Sequence, residues 1–231
     1  MKINIHQIYY NEETKGKLVP EFTPYYNKDC SLFFESEVIR DLIEQRKHEE
    51  SYHFGVVGPK FKYKLNHWSR RYDSKIYQGF KVFKNVISNS NCDVVSLMSI
   101  RNNNPIRFAQ RVHPGFEDIM RDLLRIVNFD VKFKRIENSI YCNFFTATPE
   151  FWDHYTQELM FPVMDVISDR NHPVCGRIYQ DANYQKTLPK EMQDKYGIKH
   201  FPFHPFITER LPNIFLMKYS KYKVNAYSRL Q

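Results

Sequence analysis

Short apolar stretches with a two-residue rhythm alternate along this chain with stretches of helical periodicity. That alternation restricts the fold more than any other feature. Ile3 and Ile5 lead into Ile8-Tyr9-Tyr10, which predicts an opening strand. Phe54-Gly55-Val56-Val57-Gly58 predicts a short buried strand ended by a Gly-Pro break, and Asp93 to Met98 predicts another. Phe129, Val131 and Phe133 alternate as a half-buried strand should, and Tyr141 to Thr146 reads as one more. Phe34, Val38 and Leu42, with Ile39 and Ile43 beside them, mark a helix face that Ser31 can cap. Ile76, Phe80, Phe83 and Ile87 mark a second, with Asp73 or Ser74 as cap. Pro114 suits the first position of a helix carrying Phe116, Ile119, Met120, Leu123 and Leu124. Thr148-Pro149-Glu150 opens a helix through Phe151, Trp152, Tyr155 and Leu159, which Pro162 breaks or kinks. Thr187 opens a short helix that Gly197 ends, and His204-Pro205-Phe206 precedes a last one through Leu211 and Phe215. Asn11 to Gly16 reads as a polar turn. Val19 to Asn27, with two prolines, reads as an ordered non-helical loop. Strands alternating with helices predict an α/β fold with a mixed, mainly parallel sheet. With no repeat, low-complexity segment or linker, residues 1–231 read as one domain.

Several classes drop out. The longest apolar runs are only about five residues against the roughly 20 that a spanning helix needs. The start, Met1-Lys2-Ile3-Asn4-Ile5-His6, lacks the apolar stretch of a secretory signal. Cys30, Cys92, Cys142 and Cys175 are widely spaced without a Cys-x-x-Cys, which suits reduced thiols in the cytoplasm rather than a zinc site. Seven glycines leave no room for a Gly-rich phosphate loop, and neither Gly-x-Ser-x-Gly nor His-Glu-x-x-His occurs.

The charge is concentrated. The chain carries 34 basic and 26 acidic residues, a net charge of +8. Between Lys60 and Lys84 stand Lys60, Lys62, Lys64, Arg70, Arg71, Lys75, Lys81 and Lys84 against the single acid Asp73. The same segment holds Phe61, Tyr63, Trp68, Tyr72, Tyr77, Phe80 and Phe83. Two readings stand side by side. One is a solvated basic face over core aromatics. The other is phosphate attraction with stacking on bases, for a nucleotide diphosphate or a nucleic acid.

Four further residues attract notice. His113, at His113-Pro114-Gly115, sits either in a plain turn or at a helix entrance suited to anions. Asn143, inside an apolar stretch, is either a structural clamp or a ligand contact. Glu209 beside Arg210 is either a self-contained ion pair or, in a cleft, a general base with its partner.

Five blocks of residues occur in order along the chain. They are Phe22-Thr23-Pro24-Tyr25-Tyr26-Asn27 with Phe34-Glu35, then Tyr52 to Phe61, then His113-Pro114-Gly115. Tyr141-Cys142-Asn143-Phe144-Phe145 with Phe151-Trp152, and Phe206-Ile207-Thr208-Glu209-Arg210-Leu211, complete the set. Together the blocks resemble small glycosyltransferases of bacterial polysaccharide clusters and phages, and that resemblance implies a GT-A-like nucleotide-binding fold and a nucleotide-sugar donor. It implies a polysaccharide or lipid-linked acceptor, with phage DNA carrying modified bases as the alternative. It places the protein in the cytoplasm of a bacterium or an infected host, with a peripheral membrane position open to so basic a chain. Gly58-Pro59-Lys60 stands where relatives carry a histidine-rich stretch. The Asp-x-Asp that holds a divalent manganese or magnesium ion in such folds is absent, which leaves Asp93 or Asp73 as lone metal candidates.

On this reading Glu209 or Glu35 is the catalytic carboxylate, and Arg210 orients it or the donor. Lys60 and Lys62 neutralise the leaving phosphate without a metal. Tyr9, Thr23, Asn27, His113 and Asn143 contact the donor, since loops at the carboxyl ends of strands line the crevice of open α/β sheets. Trp68, Arg70, Arg71 and Lys75 serve the acceptor or a nucleic acid. A rival from another class is a non-catalytic nucleic-acid-binding module. It uses the same basic segment with the tail residues Lys218, Lys221, Lys223 and Arg229.

Overall fold

The computed structural model describes residues 2–72 and 80–227. The side chains of Trp68, Arg70 and Arg71, and the whole of Asp73 and Lys75, lie outside the described residues.

Among the described residues eight strands are formed: β1 (Ile3–Tyr9), β2 (Thr23–Tyr26), β3 (His53–Val57), β4 (Val94–Ser96), β5 (Ser99–Asn103), β6 (Ile136–Ile140), β7 (Phe145–Ala147) and β8 (Val224–Ala226). Six of them make one sheet in the order β2-β1-β3-β7-β4-β8. β1 runs parallel to β2 and β3, and β4 parallel to β8, while β7 runs antiparallel to both β3 and β4. The sheet is therefore mixed and mainly parallel, as the alternation predicts. β5 and β6 pair antiparallel in a separate ribbon.

Alternate residues of each central strand serve opposite faces. Ile8, Phe54, Val56 and Val94 join a large core with the helices Glu35–Glu44, Phe116–Ile126, Pro149–Tyr155 and Leu211–Lys218. Ile3, Ile5, Val57 and Val95 join a smaller one on the other side with Phe61, Leu65, Ile87 and Phe144. Trp152 sits at the centre of the larger core with no exposed surface, and its Nε1 donates to the Phe54 carbonyl of β3 at 2.9 Å. Burying a large aliphatic or aromatic side chain of this kind contributes about 1.5–3 kcal/mol.

Several local expectations give way to competing physics. Val19–Asn27 is not all loop, because Thr23–Tyr26 pairs with β1 as the edge strand β2, where Pro24 needs no ladder donor on its outer side. Asn11–Gly16 is a one-turn helix closed by a capping box between Asn11 and Thr14. Ser31 does not cap the helix at Glu35; its hydroxyl bonds Phe33 N and Glu37, and Phe34 precedes the helix with φ +48°. Pro114 is not a first helical residue, because Gly115 (φ +88°) intervenes before Phe116. Phe129, Val131 and Phe133 keep their alternating burial without any ladder, and β6 starts only at Ile136. Tyr141–Thr146 is not continuous strand, since Cys142 (φ +56°) and Asn143 (φ +54°) form a left-handed turn before β7. Pro162 does not end its helix. The turn Thr156–Met160 widens to a π-helix, Phe161 N bonds Thr156 O, and the helix runs on to Ser168. Thr187 pairs with His200 instead of opening a helix, which starts at Lys190 and ends at Gly197 (φ +71°).

Candidate active site

β1 and β3 end side by side, and the chain leaving each of them lines one cleft of about 340 Å³. Tyr10 follows β1, and Gly58, Pro59 and Lys60 follow β3. Glu35 enters from the first turn of its helix, Lys64 from the helix Phe61–Tyr72, and Glu209 from the bend between the helices His204–Thr208 and Leu211–Lys218. Aromatic rings close the walls, among them Phe34, Tyr63, Phe144, Tyr184, Phe201 and Phe206. Phe34 stacks on Phe201 with centroids 5.9 Å apart, and Tyr184 meets both Phe201 and Phe206 edge-on. Aromatic walls with a few convergent polar groups, here two carboxylates and an ammonium, are the usual make-up of a small-molecule site.

The two carboxylates differ in their surroundings. Burial is the largest influence on Glu35 and pushes its carboxyl up; Lys64 and the Glu35 backbone N–H oppose this, and Glu209 adds to it. The carboxylate lies against Gly58 so closely that a Cβ there would collide with Glu35 Oε1. Glu209 Oε2 accepts from Arg210 Nη1 at 2.9 Å, and Arg210, which is buried, lies over the Tyr141 ring at 5.2 Å. Burial works against the Lys64 charge, but Cys142, Glu209 and Glu35 outweigh it and raise its pKa. Cys142 is itself pushed up to about 12, chiefly by burial, so it stays a thiol near neutrality. The partners that matter to Lys64 there are the two carboxylates. Burial, then Glu35, raises the Tyr10 phenol, which therefore keeps its proton.

The residues singled out from the sequence fall into three groups. Glu35, Glu209 and Lys60 line the cleft, and Lys62 lines a second cavity beside it. Arg210, His113 and Asn143 stand behind the cleft wall. His113 Nδ1 donates to the Ala182 carbonyl at 2.6 Å, its ring lies 3.8 Å from Phe206, and burial lowers its pKa. Asn143 Nδ2 donates to Ser36 Oγ at 3.2 Å, which ties the turn before β7 to the residue next to Glu35. The remaining residues stand away from the cleft. Tyr9 stacks on Tyr26 at 5.1 Å, and Asn27, at the end of β2, donates its backbone N–H to Tyr9 O. Thr23 begins β2 and donates to Asn4 Oδ1 at 3.0 Å. Asp93 precedes β4, at the amino ends of the parallel strands, and its Oδ2 accepts from Lys223 N at 2.7 Å.

A divalent ion fits this donor set poorly. Its two carboxylates, Glu35 and Glu209, both act on the Lys64 ammonium, and Glu209 is also paired with Arg210. Among the described residues, the group of three acidic or histidine side chains whose ligand atoms converge is His48, Glu49 and Asp153. It lies by the amino end of β3, opposite the cleft. Sequence reasoning missed Tyr10, Lys64, Tyr184 and Lys186 at the cleft.

No family model and no curated protein sequence matches this chain. A solved structure described as the apo form of WbbM, a bifunctional glycosyltransferase, is similar over 98% of this chain, with a TM-score of 0.50 and 11% identity. The chain spans 44% of the length of that protein. The likeness is one of fold, and the fold is glycosyltransferase-like. No helix among the described residues is long and apolar enough to cross a membrane.

Proposed function

We propose that the cleft transfers a sugar from a nucleotide-sugar donor to a hydroxyl of a polysaccharide or lipid-linked acceptor. The observation that carries this reading is the meeting of Glu35, Glu209 and Lys64, from distant parts of the chain, at the carboxyl ends of β1 and β3. A glycosyltransferase-like fold supplies the frame.

Sugar transfer is substitution at the anomeric carbon. The acceptor oxygen bonds to that carbon, its proton goes to a base, and the bond to the donor phosphate breaks with its electron pair on the phosphate oxygen. Glu35 is the better candidate base, because burial raises its carboxyl and with it its hold on a proton, whereas Glu209 is already engaged in an ion pair with Arg210. Glu209, fixed by Arg210, suits a hydrogen bond to a sugar hydroxyl. The aromatic walls suit the apolar faces of a pyranose and exclude water from the reacting carbon.

The test is a thermal-shift and turnover screen of the whole chain against uridine, guanosine, adenosine, thymidine and cytidine nucleotide sugars. A true donor at a hundredfold excess over its dissociation constant stabilises the fold by about 2.7 kcal/mol. Glu35→Gln then retains donor binding and loses turnover by roughly 10²–10⁴-fold. A screen in which no nucleotide sugar binds or turns over sinks the reading, and full turnover in Glu35→Gln sinks the assignment of the base.

A further inference from the structure

Beside the carboxylate cleft lies a larger cavity of about 710 Å³. Its charged lining has one sign. Lys17 comes from the loop after β1, Lys60 and Lys62 from the turn into the helix Phe61–Tyr72, and Lys186 from the loop ahead of Lys190. Glu13, on the adjoining helical turn, bonds Lys17 at 2.5 Å and feels Lys60 more weakly. Among the described residues no carboxylate lines the cavity itself. Pro59, Lys60, Tyr63 and Lys186 also line the carboxylate cleft, so the two spaces share a wall.

All four lysines are exposed, they come from three separate segments, and among the described residues only Lys17 has an ion-pair partner, Glu13. Such a gathering becomes favourable when a multiply charged anion lies among them, where each charge-assisted hydrogen bond is about twice as strong as a neutral one. The shared wall sets the spacing. A group in the lysine cavity that touches Lys60 and Lys186 is adjacent to whatever occupies the space between Glu35 and Glu209. A nucleotide sugar presents that pair of neighbours, a diphosphate bonded directly to a sugar.

We propose that the Lys17, Lys60, Lys62 and Lys186 cavity seats the donor's diphosphate and neutralises it without a divalent ion, while the sugar enters the Glu35 cleft. The proposal rests on the transferase reading. When the anomeric bond breaks, the electron pair left on the outer phosphate oxygen is met by Lys60 and Lys186.

The experiment is calorimetric titration of the whole protein in EDTA with inorganic pyrophosphate and with a panel of nucleoside diphosphates and nucleotide sugars. Variants Lys17→Ala, Lys186→Ala and Lys186→Arg are compared with Lys190→Ala, whose exposed lysine pairs with Asp194 outside the cavity. Pyrophosphate and at least one nucleoside diphosphate bind in the chelator. Their affinity falls roughly tenfold in each of the first two variants, recovers in Lys186→Arg and is untouched in Lys190→Ala. If a nucleoside diphosphate binds equally well to wild type and to the alanine variants, or only with manganese or magnesium added, the lysine assignment is overturned and the transferase reading stands. If no nucleotide or nucleotide sugar binds under any condition, the transferase reading falls and takes this assignment with it.

Discussion

Two glycines of one segment, Gly55 and Gly58, are expected to fail in opposite ways when each receives a single methyl group. At Gly55, in β3, a Cβ would lie 2.6 Å from the Phe145 carbonyl oxygen and 2.8 Å from Thr146 Cγ2, both on the paired strand β7. A ladder carbonyl cannot retreat without breaking its own pairing. Gly55→Ala therefore costs about 1–3 kcal/mol as overpacking, or roughly 2–12 °C in melting temperature for a chain of this size. At Gly58 the obstacle is the far end of one side chain, Glu35 Oε1, with Cδ at 3.3 Å. A carboxylate on rotatable bonds can swing aside, and Gly58 is outside the left-handed region. The loss of unfolded-chain freedom even favours alanine there by about 0.4–1 kcal/mol. What Gly58→Ala changes is position. Oε1 must withdraw by roughly 1 Å to reach ordinary contact, and a displacement of that size at a reacting group costs about 10²-fold in rate. Urea melts and donor turnover, measured on both variants, separate the two effects. Full turnover in Gly58→Ala, or melts that show the two substitutions equally destabilising, would refute the argument that Gly58 exists to admit the Glu35 carboxylate.

Three further outcomes follow from the packing and the titration directions. Burial raises the Glu35 carboxyl, so its folded form resists an ionisation that the unfolded chain undergoes near pH 4.3. Glu35→Gln should gain stability over wild type progressively as pH climbs from about 4.3 through the raised value, and urea melts between pH 4 and 8 that stay parallel contradict this. His204 is buried between Phe33 and Tyr179, and its pKa is pushed down to about 4 by burial. Wild type should lose stability as pH falls from about 6.5 through about 4, and His204→Phe should lose less, with a remainder owed to His6, also pushed down to about 4 by burial; identical acid midpoints would count against it. Asn143→Ala should cost about 1–3 kcal/mol, because Ser36 loses its donor and alanine must hold φ +54°, while Asn143→Gly costs less; an alanine variant as stable as wild type removes the clamp.

The sequence is most informative where one face of an element must be apolar. β1, β3 and β4 and the helices at Phe116 and Pro149 are legible because their patterns repeat over several residues. β2 and β8 escape notice for the opposite reason: each is a short edge strand, and an edge strand needs neither a buried face nor freedom from proline. The Cys142–Asn143 turn hides inside an apolar run because its conformation is set by the Asn143 bond to Ser36, far away in the chain. The same limit applies to the site. Tyr9 and Tyr10 are equivalent in composition, and only strand parity sends Tyr10 to the Glu35 side of the sheet. Lys64 looks like its neighbours Lys60 and Lys62 until the helix Phe61–Tyr72 is phased. Phe61 and Leu65 are then its buried face, and Lys64, three residues after Phe61, is drawn toward the interior. Lys186 and Tyr184 sit in a stretch with no periodicity at all, so nothing local marks them.

The Glu209–Arg210 pair requires a separate kind of experiment, because a single substitution there confuses chemistry with stability. Arg210 is 4% exposed and Glu209 is 21% exposed. The guanidinium has its carboxylate on one side and the Tyr141 ring on the other. Glu209→Gln keeps an oxygen acceptor but leaves a buried positive charge without its counter-charge. The expected cost is about 2–3 kcal/mol, below the full penalty of a wholly buried broken pair because Glu209 retains some contact with water. A fall in activity in that variant alone therefore says little about sugar binding. Adding Arg210→Met removes the stranded charge while preserving most of the side-chain volume, and stability should return toward wild type. The pairwise term of the double-mutant cycle is then 1 kcal/mol or more. Turnover is the discriminating measurement. If Glu209 holds the substrate itself, the double variant is stable and still impaired, with the loss mainly in KM for the donor or acceptor. If Glu209 serves only to neutralise Arg210, the stable double variant turns over at the wild-type rate, and the place of Glu209 in the catalytic pair is refuted.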